Sequence, residues 1–495
     1  MAVDKLVDST QLDADLTSVA NAIRTKGSTS EQMAFPAGFV SAVNAIPTGV
    51  TPTGTKQISI TENGTVTEDV TNYADAEITV NVQGGGGETV ESKDVDFIDY
   101  DGTIVASYTA QEFLALTEMP GNPAHSGLTS QGWNWTLAEA KEYVQNHGGL
   151  IIGQMYIPSD GKTKIKIHLD ADNLSPYCGF GINGTAVIEW GDGTSDTVTG
   201  TDANAVVNTQ HTYASAGDYT ISIGVTGSLN ILGVAAGTEL LWDNNATQAP
   251  NSKVYRTAIR EVNIGSNVGF YGNYSFANCF YLEVITMPQG FSIIGTGLTF
   301  QNCFSLQCVI LPMGLTGTTS NMCISCESLR VVSLPYGLIN CIANSFTNCH
   351  SIDRLYIPDN GSVFGGSTGM SGLKTLGIPN GVTEMPAFSA AYSLRRLPLP
   401  SSLIKFAAAA LMNCWGLENI TIPSGVTDIA ANAFSTCQSM QYIKFEGSTP
   451  PTIAASTAFA SLPTSCKILV PTGSLTAYTG ATNYPSAATY TYVEY

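Results

Sequence analysis

Positive charge is scarce in this chain, with 20 Lys plus Arg in 495 residues against 40 Asp plus Glu, and a net charge of -20. That balance argues against non-specific attraction to nucleic acid or anionic membrane, so no nucleic-acid partner is expected. No apolar run reaches the length of a membrane span, so no membrane insertion is expected. The start, Met1-Ala-Val-Asp-Lys-Leu-Val-Asp-Ser9, lacks the basic and apolar regions of a signal peptide. The five histidines (His125, His147, His168, His211 and His350) never stand at metal-ligand spacing, and no Gly-rich phosphate loop precedes a lysine, so no metal and no cofactor are expected. Serines lack a nucleophile elbow. The carboxylate pairs Asp99 with Asp101 and Asp170 with Asp172 sit beside turns, where Asp is common for backbone reasons. The chain therefore reads as non-enzymatic, and the alternative left open is a glycan hydrolase assembling acids from distant positions.

What is present is repetition. One phrase opens at Ile259, Leu282, Leu306, Leu329, Ile352, Leu373, Leu394, Leu417 and Met440, with spacings of 21 to 24 residues. This is the leucine-rich-repeat period and not that of helical repeats. Three residues before these openings stand Cys279, Cys303, Cys326, Cys349, Met370, Ala391, Cys414 and Cys437, and three earlier again a column mostly of Phe, beginning Phe276 and Phe300. Each repeat is thus a short strand plus a return segment closing the same core. Six of the 11 cysteines lie on the ladder, where a small, weakly polar side chain fills core volume. The odd count fits poorly with a disulfide framework, and both residues of Cys323-Ile-Ser-Cys326 fall on ladder columns. The thiols are expected to be reduced and inaccessible.

The stretches Ala277-Asn-Cys-Phe-Tyr-Leu-Glu-Val-Ile-Thr-Met-Pro288 and Ala433-Phe-Ser-Thr-Cys-Gln-Ser-Met-Gln-Tyr-Ile443 resemble the BspA-type leucine-rich repeat, a family of adhesion and interaction modules. The tail, with Thr449-Pro-Pro-Thr-Ile453 and Ile468-Leu-Val-Pro-Thr-Gly-Ser-Leu-Thr-Ala-Tyr478, resembles the cap that closes such arrays.

Upstream, the length demands several further domains. Residues 1–50 read as two short amphipathic helices, an attachment segment that suits docking on another chain. Residues 51–83 form a small β module, with Asn63-Gly64 as a turn signal, and residues 84–87, four glycines, form a flexible joint. Residues 88–158 read as an α+β module. Asp101-Gly102 turns a hairpin there, Thr109-Ala-Gln-Glu112 and Thr136-Leu-Ala-Glu139 are capping boxes, and Trp133 and Trp135 read as core anchors or as a sugar-stacking pair. Both modules resemble parts of tail proteins of phages and prophages of Gram-positive gut bacteria. In residues 159–235, Val187-Ile-Glu-Trp190-Gly-Asp192-Gly193, His211-Thr-Tyr213 and Gly217-Asp218-Tyr219 are similar to the PKD-like immunoglobulin-type sandwich, which implies a spacer with Trp190 in its core. A connector (236–258), the repeats (259–445) and the cap (446–495) complete a mainly β, multidomain chain.

Positions two and four after each opening aliphatic face outward, with the residue directly after the aliphatic at the margin. On the central repeats these positions and their neighbours collect Arg330, Arg354, Lys374, Arg395 and Arg396, with Tyr356 among them, while Glu261, Glu283 and Glu418 stand nearer the ends. These six residues are the candidate ligand site, and an anionic surface polysaccharide is the ligand they suit. The expected function is that of a phage or prophage tail protein, located in the virion and made in the host cytoplasm. Its N-terminal segment would meet other tail proteins, its repeats a host-surface polysaccharide or protein, and its own copies in a homo-oligomer. The alternatives are a bacterial surface adhesin and a tail-associated depolymerase.

Overall fold

A computed structural model describes two strands at 55–59 and 75–79 and residues 94–495 apart from 234–240, 243–255, 273–274, 292, 295–298, 316–320, 339–343 and 360–364. The chain divides into two compact units, Met1–Glu91 and Ser92–Tyr495. In the first, β1 (Thr55–Ser59) and β2 (Asp75–Thr79) pair in parallel, with Ile58 opposite Ile78. Parallel strands need a crossover, so the turn signal at Asn63-Gly64, itself outside the described residues, does not close a tight hairpin between them. The expected helices of residues 1–50 and the glycine joint at 84–87 also lie outside the described residues.

The second unit opens with the α+β module. Its elements are β3 (Val95–Ile98), β4 (Ile104–Tyr108), α1 (Ala110–Ala115), β5 (Leu128–Trp133), α2 (Leu137–His147) and β6 (Leu150–Pro158), with sheet order β4-β3-β6-β5. Local chemistry sets each boundary. Asp101 accepts the Thr103 amide at 2.8 Å to shape the β3–β4 turn. Thr109 and Thr136 each form a complete capping box, with Glu112 and Glu139, and α2 stops at left-handed Gly148.

The next strands, β7 (Thr163–Leu169), β8 (Tyr177–Glu189), β9 (Ser195–Gln210), β10 (Gly217–Gly233) and β11 (Leu241–Trp242), are hydrogen-bonded in one sheet that runs on into the repeats. The first repeat contributes β12 (Ile259–Asn263) and β13 (Val268–Gly272). β7 pairs antiparallel with β12, Ile165 opposite Val262, and β10 pairs in parallel with β13, Ile231 opposite Phe270. Both open edges of the first repeat are therefore covered, and the apolar residues of β7, β8 and β10 share one core with the solenoid. The segment expected to be a spacer is the N-terminal cap of the array. Trp190 is buried in that core as expected, under the His211 ring at 4.8 Å and accepting the Tyr213 hydroxyl at its carbonyl at 2.9 Å.

From there the solenoid advances by paired short strands: β14 (Val284–Thr286), β15 (Ile293–Ile294), β16 (Cys308–Ile310), β17 (Val331–Ser333), β18 (Arg354–Tyr356) and β19 (Thr375–Gly377). Later repeats carry Asn419–Ile422 and Tyr442–Phe445 on the same side, extended by Lys467–Val470 and Thr491–Glu494 of the C-terminal cap. A second parallel sheet, including Glu384–Met385, Lys405–Phe406, Asp428–Ile429 and Thr452–Ile453, occupies the side expected to be a plain return segment.

Both predicted columns are buried throughout. The thiols do more than fill volume. Five of the ladder thiols donate to a main-chain carbonyl one repeat back: Cys303 to Phe276 at 3.1 Å, Cys326 to Phe300 at 3.0 Å, Cys349 to Cys323 at 2.9 Å, Cys414 to Phe388 at 3.5 Å and Cys437 to Leu411 at 3.2 Å. The carbonyls of Phe276, Phe300, Cys323 and Leu411 each also accept a backbone amide of their own turn, as Phe276 does from Cys279 at 3.2 Å, so the thiol fills the second acceptor site of the oxygen inside the core. Ten cysteines are buried without a disulfide, Cys341 lying outside the described residues, and burial pushes the Cys414 thiol up to about 12. Such thiols are inert.

The residue before each ladder position turns left-handed, as at Asn278, Asn302, Asn348 and Asn413, where Asn tolerates the conformation. Ala390 holds the same place at φ 61° without that tolerance. Left-handed backbone costs an ordinary L-residue roughly 1–2 kcal/mol, so Ala390→Gly should raise the urea midpoint of the solenoid, by about 1 kcal/mol after the glycine's own entropy cost. A lowered midpoint would mean that the strain is absent.

Candidate functional site

The candidate face is the outward side of the strand sheet, and its first half is already occupied. β6 of the α+β module lies across β14, β16, β17 and β18. The module's apolar residues Val95, Phe97, Trp133 and Ile152 form one cluster with Cys308, Ile310 and Tyr356 of the solenoid. Gly153 lets the two backbones approach, since a Cβ there would stand 2.5 Å from Ile310 Cγ2.

Polar contacts fix the register of docking. Asn134 donates to the Leu311 carbonyl and to Ser333 Oγ, both at 3.0 Å, and accepts the Gly153 amide at 2.8 Å. Ser333 Oγ donates to the Ile151 carbonyl at 2.8 Å. Trp135 Nε1 donates to the Leu334 carbonyl at 2.7 Å, and the Tyr143 hydroxyl to that of Ile357 at 2.8 Å. Trp133 and Trp135 are both buried, Trp133 edge-to-face on Phe97 at 4.9 Å. They are core and docking anchors, which removes the sugar-stacking reading.

His147 meets Asp359 at 2.6 Å, and Asp359 also accepts the Asn380 amide at 2.7 Å. Burial raises the Asp359 pKa, but the hydrogen bonds from His147 and Asn380 outweigh it and hold the carboxyl below its usual value. A carboxyl depressed in the folded state adds stability above its unfolded pKa and loses it as pH falls through the folded one. The docked module should therefore loosen below about pH 4, the ordinary Asp value. A red shift of tryptophan emission would report it, and His147→Ala should flatten that pH dependence.

This geometry breaks up the predicted patch. Arg354 is half-buried and ion-paired with Asp96 of β3, and Tyr356 is sealed under the module at 5% exposure. Neither is open to a ligand. Lys374 is exposed but lies 3.7 Å from Asp353, and Arg330 is exposed at the margin of the docked module. Arg395 and Arg396 are exposed and make no ion pair within the described residues. The five cations thus do not act as one row.

The uncovered part of the face runs from Arg395 to the last strand. Successive rungs join it through main-chain bonds from Glu418 to Arg395 at 3.0 Å and from Gln441 to Glu418 at 2.7 Å. It carries Arg395, Arg396, Lys444 and Lys467 with Tyr442 and Tyr495, and Lys444 lies 4.4 Å from the centre of the Tyr495 ring. On the ridge beside it Tyr392 and Trp415 are exposed and stacked at 4.2 Å. Lys444 and Lys467 were missed in the sequence because they lie near and beyond the end of the repeated phrase. Their signal was the alternation in Tyr442-Ile-Lys444-Phe445 and Lys467-Ile-Leu-Val470.

Four histidines pair with a carboxylate among the described residues: His168 with Asp218 (2.7 Å) across the exposed β7–β10 ladder, and three more that are each part of a turn or a contact. Asp99 with His125 (2.6 Å) sits within the module, Asp359 with His147 at the docking surface, and Asp192 with His211 (2.7 Å) at the Trp190 turn. Burial raises Asp192, but the Thr194 hydroxyl and amide and His211 together hold it down at about 2. Among the described residues no three His, Cys, Asp or Glu side chains gather for a metal, and no helix is long and apolar enough to cross a membrane.

The family model for the BspA type leucine rich repeat region matches residues 247–371 and 368–476, in six copies. The solenoid is a BspA-type array. No curated protein matches the chain. Two solved structures are similar to it at 16% identity. One is a leucine rich cell surface protein from Faecalibacterium prausnitzii A2-165, with TM-score 0.19, covering 39% of this chain and 82% of its own. The other is a leucine-rich repeat protein from Bacteroides ovatus ATCC 8483, with TM-score 0.21, covering 49% and 86%. The matched region begins in the connector before β12 and ends within the C-terminal cap, so the BspA-type match leaves out β7 to β10 and the docked module.

Proposed function

We propose that this chain is a non-enzymatic adhesion protein whose BspA-type array binds an anionic polymer of a cell surface through the uncovered half of its strand face. The observation that carries this is the unpaired Arg395 and Arg396 beside Lys444 and Lys467 on one rigid sheet, in a chain of net charge -20. Arg396, Asn419, Tyr442 and Lys467 stand level on successive rungs, so at a strand spacing of about 4.8 Å the arginine pair lies about 14 Å from Lys467, beyond the screening length of about 8 Å at physiological salt, and the two groups act on successive segments of one extended polymer. The resemblances of residues 51–83 and 88–158 support a phage or prophage tail as the carrier, with the N-terminal segment attached to other tail proteins. The adhesion reading itself holds whether the array is displayed on a tail or on a cell.

The test uses the full chain with poly(glycerol phosphate) teichoic acid as the anionic probe and dextran as the neutral one. Arg395→Glu with Arg396→Glu should weaken teichoic-acid binding about tenfold, as two exposed charges of up to about 1 kcal/mol each allow. Lys405→Glu, on the opposite sheet, should leave it unchanged, and wild-type binding should fall as salt rises. Equal binding by the double variant and wild type at low salt would overturn the reading.

A further inference from the structure

A second site lies away from the cationic face. Gln131 and Ile157 of the docked module, Gly227 to Asn230 of β10, Gly265 to Gly269 of the first repeat and Pro288 to Phe291 of the second enclose a cleft of about 500 Å³. This is within the range of about 300–1,000 Å³ usual for small-molecule sites. No lining residue is ionisable, in a chain whose net charge is -20.

The cleft is built from several elements and held rigid. The Gln131 side chain accepts the Gln289 amide at 2.7 Å, joining the module wall to the second-repeat wall. The Leu229 amide donates to the Asn267 carbonyl at 2.9 Å, and the Ser266 amide to that of Gly161 at 2.8 Å, closing the other walls. Leu229, Val268 and Phe291 are buried in the floor. Around the rim the side chains of Ser228, Ser266, Asn267 and Gln289 make no hydrogen bond within the described residues. Hydroxyl and amide groups that are bonded only to water are exchangeable for a ligand's own hydroxyls.

We infer that this cleft binds a neutral saccharide. Uncharged amide and hydroxyl groups over a small apolar floor match a ring that carries hydroxyls on its edge and C–H groups on its face. A carboxylate, phosphate or ammonium ligand would find no counter-charge there. An extended peptide would need a free strand edge, and β10 is paired on both sides by β13 and β8 at this height.

The experiment is saturation-transfer NMR on the full chain with glucose, galactose and N-acetylglucosamine, and with glucuronic acid and glucosamine as charged analogues. Expected is saturable transfer to at least one neutral sugar, none to the charged pair, and at least tenfold weaker binding in Ser228→Trp, which fills the cleft from an exposed position. Gln289→Ala should weaken binding with unchanged thermal unfolding, and Arg395→Glu with Arg396→Glu should leave it intact, which separates this site from the cationic face. Absence of transfer to all three neutral sugars, or full binding by a folded Ser228→Trp variant, would overturn the inference.

Discussion

Replacing Gly153 with leucine should make a single thiol, that of Cys308, reactive in an otherwise folded protein. Cys308 lies at an outward position of β16, is 2% exposed, and owes its burial to the module: it belongs to the module's apolar cluster and not to the solenoid core. A side chain at position 153 enters the space of Ile310, and forced overpacking costs about 1–3 kcal/mol, which is about a 5- to 150-fold gain in the undocked population. Once undocked, Cys308 loses the desolvation that raises its pKa and becomes an ordinary surface thiol. The ladder thiols stay in the core and should remain silent. Labelling of native Gly153→Leu by a thiol reagent should therefore give one modification, absent when Cys308→Ala is added. If the ladder cysteines label together with Cys308, the module is not a separable cover, and if nothing labels, the contact at Gly153 yields without undocking.

The repeats were legible in the sequence because every rung repeats the same inward chemistry, and eight rungs in register leave little freedom in placing Cys279 or Phe276. The caps were half legible. Trp190 and its turn announced a β segment, but the pairing of β7 on β12 joins residues 92 to 99 apart in sequence and that of β10 on β13 residues 39 apart, and no local pattern encodes such pairing. Docking of the module left a signal that went unread. The outward positions of the central repeats are Cys308, Ile310, Val331, Ser333, Arg354 and Tyr356, four of them apolar or aromatic, whereas later repeats place Arg396, Asn419, Thr421 and Lys444 there. A strand face that is apolar in its middle and polar at its end is one that is covered in its middle. Reading charge alone picked out Arg354 and passed over the apolar neighbours that showed it to be covered.

Arg354→Glu and Arg396→Glu, once grouped as members of one patch, should therefore part company. Asp96 is 2% exposed and its carboxylate is held by Arg354 and by the Ser107 hydroxyl. Removing one partner of a buried pair leaves an uncompensated charge, at about 3–5 kcal/mol. The lower end applies here, because the Arg354 side chain is itself a quarter exposed and Ser107 stays in place. Arg396 has no ion pair to lose among the described residues, and exposed substitutions of that kind usually fall within about 0.5 kcal/mol. Arg354→Glu should thus lower the urea midpoint of the module and raise Cys308 labelling, while Arg396→Glu should change neither and weaken only polymer binding. Adding Asp96→Asn to Arg354→Glu removes the stranded charge and should recover part of the lost stability, a coupling that a double-mutant cycle measures directly. If Arg354→Glu instead matches Arg396→Glu in stability, the ion pair is not what holds the module down, and the apolar seam at Ile310 and Tyr356 must carry the docking alone.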